Sequence, residues 1–290
     1  PAPLLDPHPD PGLFGPGSVT WRVMREPVLI LGGGRALLMQ AAHPLVAQGA
    51  IDHSSYATDP FGRLERTVDW VTICCFGTTA EARLACRRVN VLHRSVRGEL
   101  PQENRTSAYP AGTPYSADDP PLLLWVHASF VDAMLASHDA LVGTLRRRDR
   151  DAFVQEWEAV GLYMGVPKAM LPKSFAELRN YVDQQIASGA ARPGPGSGLV
   201  ARTVLDPPLP SVALVPGWQL VKFVTMGLLP AEVRDAYELR WTVVHERAHR
   251  RLCATVATLR PRLPRRFRVS PIYDMALERT RGRWPAARAA

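Results

Sequence analysis

Several features that place a chain in a familiar class are scarce or absent in this one. No run of about 18 or more residues is free of charge and apolar enough to cross a bilayer; the longest candidate, Val28 to Ile51, carries Arg35 and His43. Cysteine occurs only at Cys74, Cys75, Cys86 and Cys253, with no CxxC pair, which disfavours a disulfide framework and fits a reducing compartment. The N-terminal PAPLLDPHPDPG has neither a basic n-region nor an apolar h-region, so the expectation is a cytoplasmic protein without a secretory signal. Alternation of apolar and polar residues at period two is lacking throughout, which argues against a sheet-based fold.

Lysine is nearly missing too. Of 35 basic residues only Lys168, Lys173 and Lys222 are lysines, so the net charge of +8 is carried by arginine. Those arginines are scattered, and no helix-turn-helix or aromatic-basic RNA motif accompanies them, so nucleic acid is not an expected partner. With 290 residues and 46% hydrophobic content the chain can bury a substantial core.

What is present is helical periodicity. Residues 1–17 are proline-rich and predict an extended arm. The spacing then predicts helices over Arg35–Gln48 with a break at Pro44, Arg63–Phe76, Ala80–Val96, Asp119–Leu141, Asp151–Met164 and Ser174–Ala187. GARPGPGSG, ending at Gly198, predicts a flexible surface loop, Pro207–Pro216 a second break, and Ala231–Leu259 the longest helix. The expectation is an all-α protein, with residues 18–290 as a single helical domain behind the arm.

Two motifs invite chemical readings that their contexts weaken. VLILGGGRALLMQAAHP offers Gly32 and Gly34 for a dinucleotide turn, but Leu37 stands where the third glycine belongs, and the residues before Asp52 do not read as a second buried strand. HERAH supplies His245, Glu246 and His249 at zinc-hydrolase spacing. Arg247, Arg250 and Arg251 would crowd a dication there, and a solvated helix face is the plainer reading.

Other histidines lie on apolar stripes. His93 shares a face with Ala82, Cys86 and Val89; His127 sits among Leu123, Phe130, Val131 and Met134. An imidazole in such a place needs either a hydrogen-bonding partner or a metal, and spacing alone leaves both open. His43 and His53 flank a segment of small residues, while Arg63, Arg66 and Thr67 form one cationic, hydroxyl-bearing cluster.

GGGRALLMQAAHPLVAQGAIDHS, RLERT, VNVLHRSVRG and YSADDPPLLLWVHASFVDAML, in that order over roughly residues 25–140, together resemble the haem-dependent oxygenase family of the latex-clearing proteins (rubber oxygenases) and the mycophenolic-acid pathway oxygenase MpaB. The resemblance implies a helical domain enclosing a haem b pocket, with His93 as the proximal iron ligand. It implies Arg63, Arg66 and Thr67 on the distal side, where Arg66 replaces the lysine of the family's R-x-x-K-T pattern, and it places His127 at the pocket wall. A guanidinium stays charged and cannot bind iron as a neutral lysine can. The implied activity is oxygenation of an apolar small molecule with dioxygen, including oxidative cleavage of a carbon–carbon double bond, and an electron donor is allowed as a further partner. A non-catalytic helical haem or lipid carrier and the zinc hydrolase are the rival readings.

Overall fold

A computed structural model describes residues 9–54 and 58–282. Nearly half of the predicted arm, residues 1–8, lies outside them. Residues 9–17 form turns, and Asp10 ties this segment down by accepting hydrogen bonds from the backbone and hydroxyl of Thr79.

The fold is helical. Fourteen α-helices follow in order among the described residues: α1 Val19–Met24, α2 Gly32–Ala42, α3 Pro44–His53, α4 Pro60–Phe76, α5 Thr79–His93, α6 Pro120–Leu141, α7 Arg147–Tyr163, α8 Phe175–Ala187, α9 Pro195–Leu205, α10 Val215–Leu228, α11 Ala231–Ala236, α12 Val243–Leu259, α13 Arg265–Arg268 and α14 Pro271–Thr280. One small antiparallel sheet departs from the expectation of no strands. β1 (Arg97–Glu99) pairs with β2 (Pro114–Ser116), Gly98 opposite Tyr115, in the crossing between α5 and α6.

Capping and proline chemistry set most boundaries. Pro44 stops α2 and opens α3, as the sequence predicts, because proline lacks the N–H that a helix interior needs. The Thr78–Glu81 capping box starts α5, and the Ser174 side chain caps α8. Pro120 opens α6, but the Asp119 side chain makes no capping bond, so proline alone marks that start.

Two sequence expectations are corrected. The predicted loop ending at Gly198 becomes helical from Pro195, since Pro195 sits in the first turn and Gly196 and Ser197 are buried. The long helix over Ala231–Leu259 divides into α11 and α12: Glu238 adopts φ 56°, a left-handed conformation no helix interior accepts, and Thr242 recaps the chain.

α6 is the axis of the core. Trp125, Ala128, Val131, Met134 and Leu135 are buried along it, and α2, α7, α8 and α12 pack around it. A buried ion triad pins three of these helices together. Asp132 of α6 accepts from Arg35 of α2 and Arg179 of α8, each at 2.6 Å, and Arg35 also donates to the Leu228 carbonyl that ends α10. Gly32 and Gly34 belong to this packing rather than to a phosphate loop. A Cβ on Gly34 would stand 2.4 Å from Thr225 Oγ1 of α10, and one on Gly32 would stand 2.2 Å from Ser137 Oγ of α6.

Candidate functional site

The α4–α5 hairpin organises the region where most of the sequence-predicted residues fall. Gly77 and Thr78 alone join the two helices, so α5 folds back along α4. The closed end is packed: Cys74, Cys75 and Phe76 of α4 are buried with Ala82 and Cys86 of α5, and Cys74 Sγ lies 3.9 Å from Cys86 Sγ. No residue of α4 before Cys74, and none of α5 after Cys86, is fully buried. Arg63–Thr67 and His93 lie on the parts of α4 and α5 away from that turn, about 15–22 Å along their helices at about 1.5 Å per residue, and His93 is not among the residues that line a cavity with Arg63 and Thr67.

Polar atoms away from the turn are left wanting. His93 is half-buried at the last position of α5, and its Nδ1 is buried with no hydrogen-bond partner. Burial pulls its pKa below the ordinary histidine range, against an opposing pull from the Asp118 carboxylate. Three residues earlier on the same face, Asn90 donates to the Tyr163 carbonyl at 2.8 Å while its Oδ1 stays buried and unpartnered. Trp70 Nε1 of α4 is in the same state. Other buried side-chain atoms among the described residues also have no hydrogen-bond partner, His43 Nδ1 and Trp157 Nε1 with them, so the state is not particular to these two helices.

His127 is about a third of the way along α6, against α7. A Cβ placed on Gly161 of α7 would come within 3.3 Å of its Cε1. The residue is partly buried, and desolvation lowers its pKa to about 4. The imidazole is therefore neutral at pH 7.

A cavity of about 180 Å³ opens between α2, α4, α9 and α10. Its wall is mostly apolar, with Leu37, Leu64, Trp218 and Val221 prominent, and Arg63 and Thr67 enter it from α4. The Thr67 hydroxyl donates to the Arg63 carbonyl at 2.9 Å. Arg66 is placed apart from these two. It does not line the cavity, is 61% exposed and pairs at 3.2 Å with Asp59, the residue that caps its own helix.

Lys222 is a cavity residue that sequence reasoning missed. It lines the same wall, with Nζ held at 2.6 and 2.7 Å by the two carboxylate oxygens of Asp206. Its rarity in a chain with three lysines was the available signal.

The remaining candidates do not line the cavity. His43 is buried where α2 gives way to α3, with Nε2 3.0 Å from the Tyr109 hydroxyl and a pKa lowered by burial to about 4. Asp52 closes a polar network, accepting from Gln48 and Tyr115. HERAH does not converge on a metal site. His245 is exposed, His249 is buried with Nε2 3.4 Å from Cys253 Sγ, and Glu246 is taken up by Trp241 Nε1 and Arg250 Nε, both at 2.9 Å. Among the described residues no group of three or more His, Cys, Asp or Glu side chains is gathered to hold a metal ion.

Comparison with known proteins agrees with the motif order. The chain is 28% identical over 219 residues to the uncharacterized proteins Rv2237 of Mycobacterium tuberculosis and Mb2261 of Mycobacterium bovis, an alignment covering 73% of this chain and 80% of each relative. No solved structure matches it. Residues 21–258 match the family described as "ER-bound oxygenase mpaB/B'/Rubber oxygenase, catalytic domain", and the chain belongs to that oxygenase family.

Proposed function

We propose that this protein is a haem b-dependent oxygenase of apolar small molecules, with His93 as the protein ligand to iron. One observation carries the reading: at the open end of the α4–α5 hairpin, His93 holds a buried ring nitrogen with no partner, where a metal bond would satisfy the ring. Asn90 Oδ1, three residues earlier on the same helix, is a further buried polar atom without a partner.

When bound, haem supplies the activation of dioxygen that no side chain can perform. The residues of this chain do the rest. Burial keeps His93 and His127 neutral at pH 7, so His93 offers a lone pair and His127 can donate or accept one hydrogen bond without introducing charge. The apolar wall around Leu37, Leu64 and Trp218 takes up the substrate and excludes water. Arg63 and Thr67 bring the polar groups of α4 to that wall, where the guanidinium stabilises developing negative charge or pairs with a carboxylate. Arg66, turned toward Asp59, acts from outside. Cleavage of a carbon–carbon double bond is the outcome that the likeness to rubber oxygenases implies.

The absorption spectrum of protein produced with ample haem tests the proposal. A Soret band at one haem per chain is expected, and His93→Ala should lose stoichiometric haem while keeping its helical circular dichroism. Folded wild-type protein with no Soret band would sink the reading, and haem binding without oxygen consumption across terpenoid and polyketide substrates would point to a carrier instead.

A further inference from the structure

Two thiols meet where the α4–α5 hairpin closes. Cys74 and Cys86 are buried, one on each helix, and their sulfur atoms stand 3.9 Å apart. The other two cysteines have different neighbours: Cys75 is turned about 100° round α4 from Cys74, and Cys253 of α12 has Sγ 3.4 Å from His249 Nε2. A short linkage keeps the pair within reach of each other. Gly77 and Thr78 are the whole connection between the two helices, and the Thr78–Glu81 capping box fixes the start of α5. Each cysteine is also in register with residues already described. Thr67 and Trp70 precede Cys74 by seven and four residues, and Val89 and His93 follow Cys86 by three and seven, so each thiol shares a helix stripe with them.

We infer that Cys74 and Cys86 are a reversible oxidation site, a dithiol that hydrogen peroxide converts into a disulfide clamping α4 to α5. The geometry is close to what the bond needs. A disulfide has its sulfurs about 2.05 Å apart, so each has to travel on the order of 1 Å, a distance that rotation about χ1 covers. Polarity sets the order of events. The Cys74 S–H donates to Cys86 Sγ, which draws the pKa of Cys86 down and pushes that of Cys74 up. The Cys86 thiolate therefore attacks the peroxide: an S–O bond forms, the O–O bond breaks, and the departing hydroxide takes up the thiol proton as water. Cys74 sulfur then attacks the sulfenic sulfur, the S–S bond forms, the S–O bond breaks, and a second water leaves with the Cys74 proton. The two thiols give up two electrons and one peroxide is reduced to two waters. Cys86 is the last fully buried residue of α5, which puts the pair at the edge of the core rather than at its centre. The bond itself requires nothing of haem; only the corollary, that the clamp fixes the spacing of the stripes carrying Thr67 and His93 for a bound cofactor, rests on the function proposed above.

Thiol counting on the whole protein tests the site without reference to haem or turnover. Protein purified under reductant is exchanged into plain buffer, treated with hydrogen peroxide, denatured and titrated with a thiol reagent. The expected result is a fall from four thiols to two, reversed by dithiothreitol. Tryptic mapping without reductant should join the peptide of residues 67–83 to that of residues 84–87. The link should survive in Cys75→Ser, which assigns it to Cys74; fragmentation of the wild-type linked peptide makes the same assignment if that variant does not fold. Closing a ring of thirteen residues should raise the melting temperature of the oxidised protein by about 5 °C, and the rise should be absent in Cys86→Ser. Four thiols persisting after peroxide treatment would overturn the inference, as would oxidation to sulfinic or sulfonic acid that dithiothreitol does not reverse. A link made to Cys75 or between two molecules would overturn it too, and a complete Cys74–Cys86 bond with no rise in melting temperature would refute the clamp.

Discussion

Removing the Asp132 carboxylate tests the packing argument where its outcome can be worked out in advance. Asp132 is 2% exposed and neutralises Arg35, itself 3% exposed, and Arg179, which is 31% exposed. In Asp132→Ala the second arginine can turn to Asp183, already 2.5 Å away, and to water. Arg35 has no such route. Its remaining strong bond is to the Leu228 carbonyl at 2.8 Å, so a charge stays buried without a counterion. Breaking a buried pair from one side costs about 3–5 kcal/mol, and Arg179's escape places this case at about 3–4 kcal/mol. With an unfolding entropy of about 2.1 cal/mol/K per residue, a chain of this length loses about 5–7 °C in Tm. Differential scanning calorimetry gives the shift directly. Asp183→Ala, which removes an exposed partner, should cost no more than about 0.5 kcal/mol, and Arg35→Met/Asp132→Leu should recover much of the loss because the pair leaves together. A Tm drop below about 2 °C for Asp132→Ala would show that water reaches Arg35 and that the triad is not the pin described here.

Other outcomes follow from the same contacts. His43 and His138 have pKa values lowered by burial to about 4, so each is neutral when folded and binds a proton when unfolded below its ordinary value of 6.5. Their penalty is absent above pH 6.5 and grows as pH falls toward 4, so denaturant titrations should show stability dropping by about 2 kcal/mol per histidine between pH 7 and 5; a flat profile would contradict their burial. Gly34→Ala should lower stability by about 1–3 kcal/mol through the clash with Thr225, while Gly33→Ala, with open space at its Cβ, should be neutral or stabilising. Equal thermal shifts for the two would refute the close-approach role. Within the proposed oxygenase, Arg66→Ala should retain haem and activity because its side chain pairs outward with Asp59, whereas Arg63→Ala should lower kcat by about 10²-fold at unchanged haem content. The reverse ranking in a steady-state oxygen assay would place Arg66, not Arg63, at the reacting centre.

How much was legible in the sequence varied with the range of the interaction responsible. Helix periodicity and the proline at position 44 are local signals, and α2 to α8 fall close to where they predict. The motif order from GGGRALL to WVHASF carried the family, because a family resides in the succession of residues along a chain. His93 and His127 stood out through apolar neighbours at helical spacing, which is a property of one helix. Lys222 and Asn90 did not stand out, since what singles them out is a contact with Asp206 or Tyr163 from another element. Likewise the division of Ala231–Leu259 depends on the left-handed Glu238, for which the chain has no glycine to give notice.

The sequence by itself determined the helical class, the break at Pro44 and the oxygenase family, because helix periodicity, the missing proline N–H and motif order are written in near neighbours. Only the tertiary structure decided that Gly32 and Gly34 serve helix contacts, that Arg63 faces a cavity while Arg66 faces Asp59, and that HERAH disperses into an exposed, a hydrogen-bonded and an ion-paired residue. Each of those outcomes depends on which other helix stands opposite a given face, and that is set by the joint burial of many apolar stripes around α6 rather than by any segment read alone.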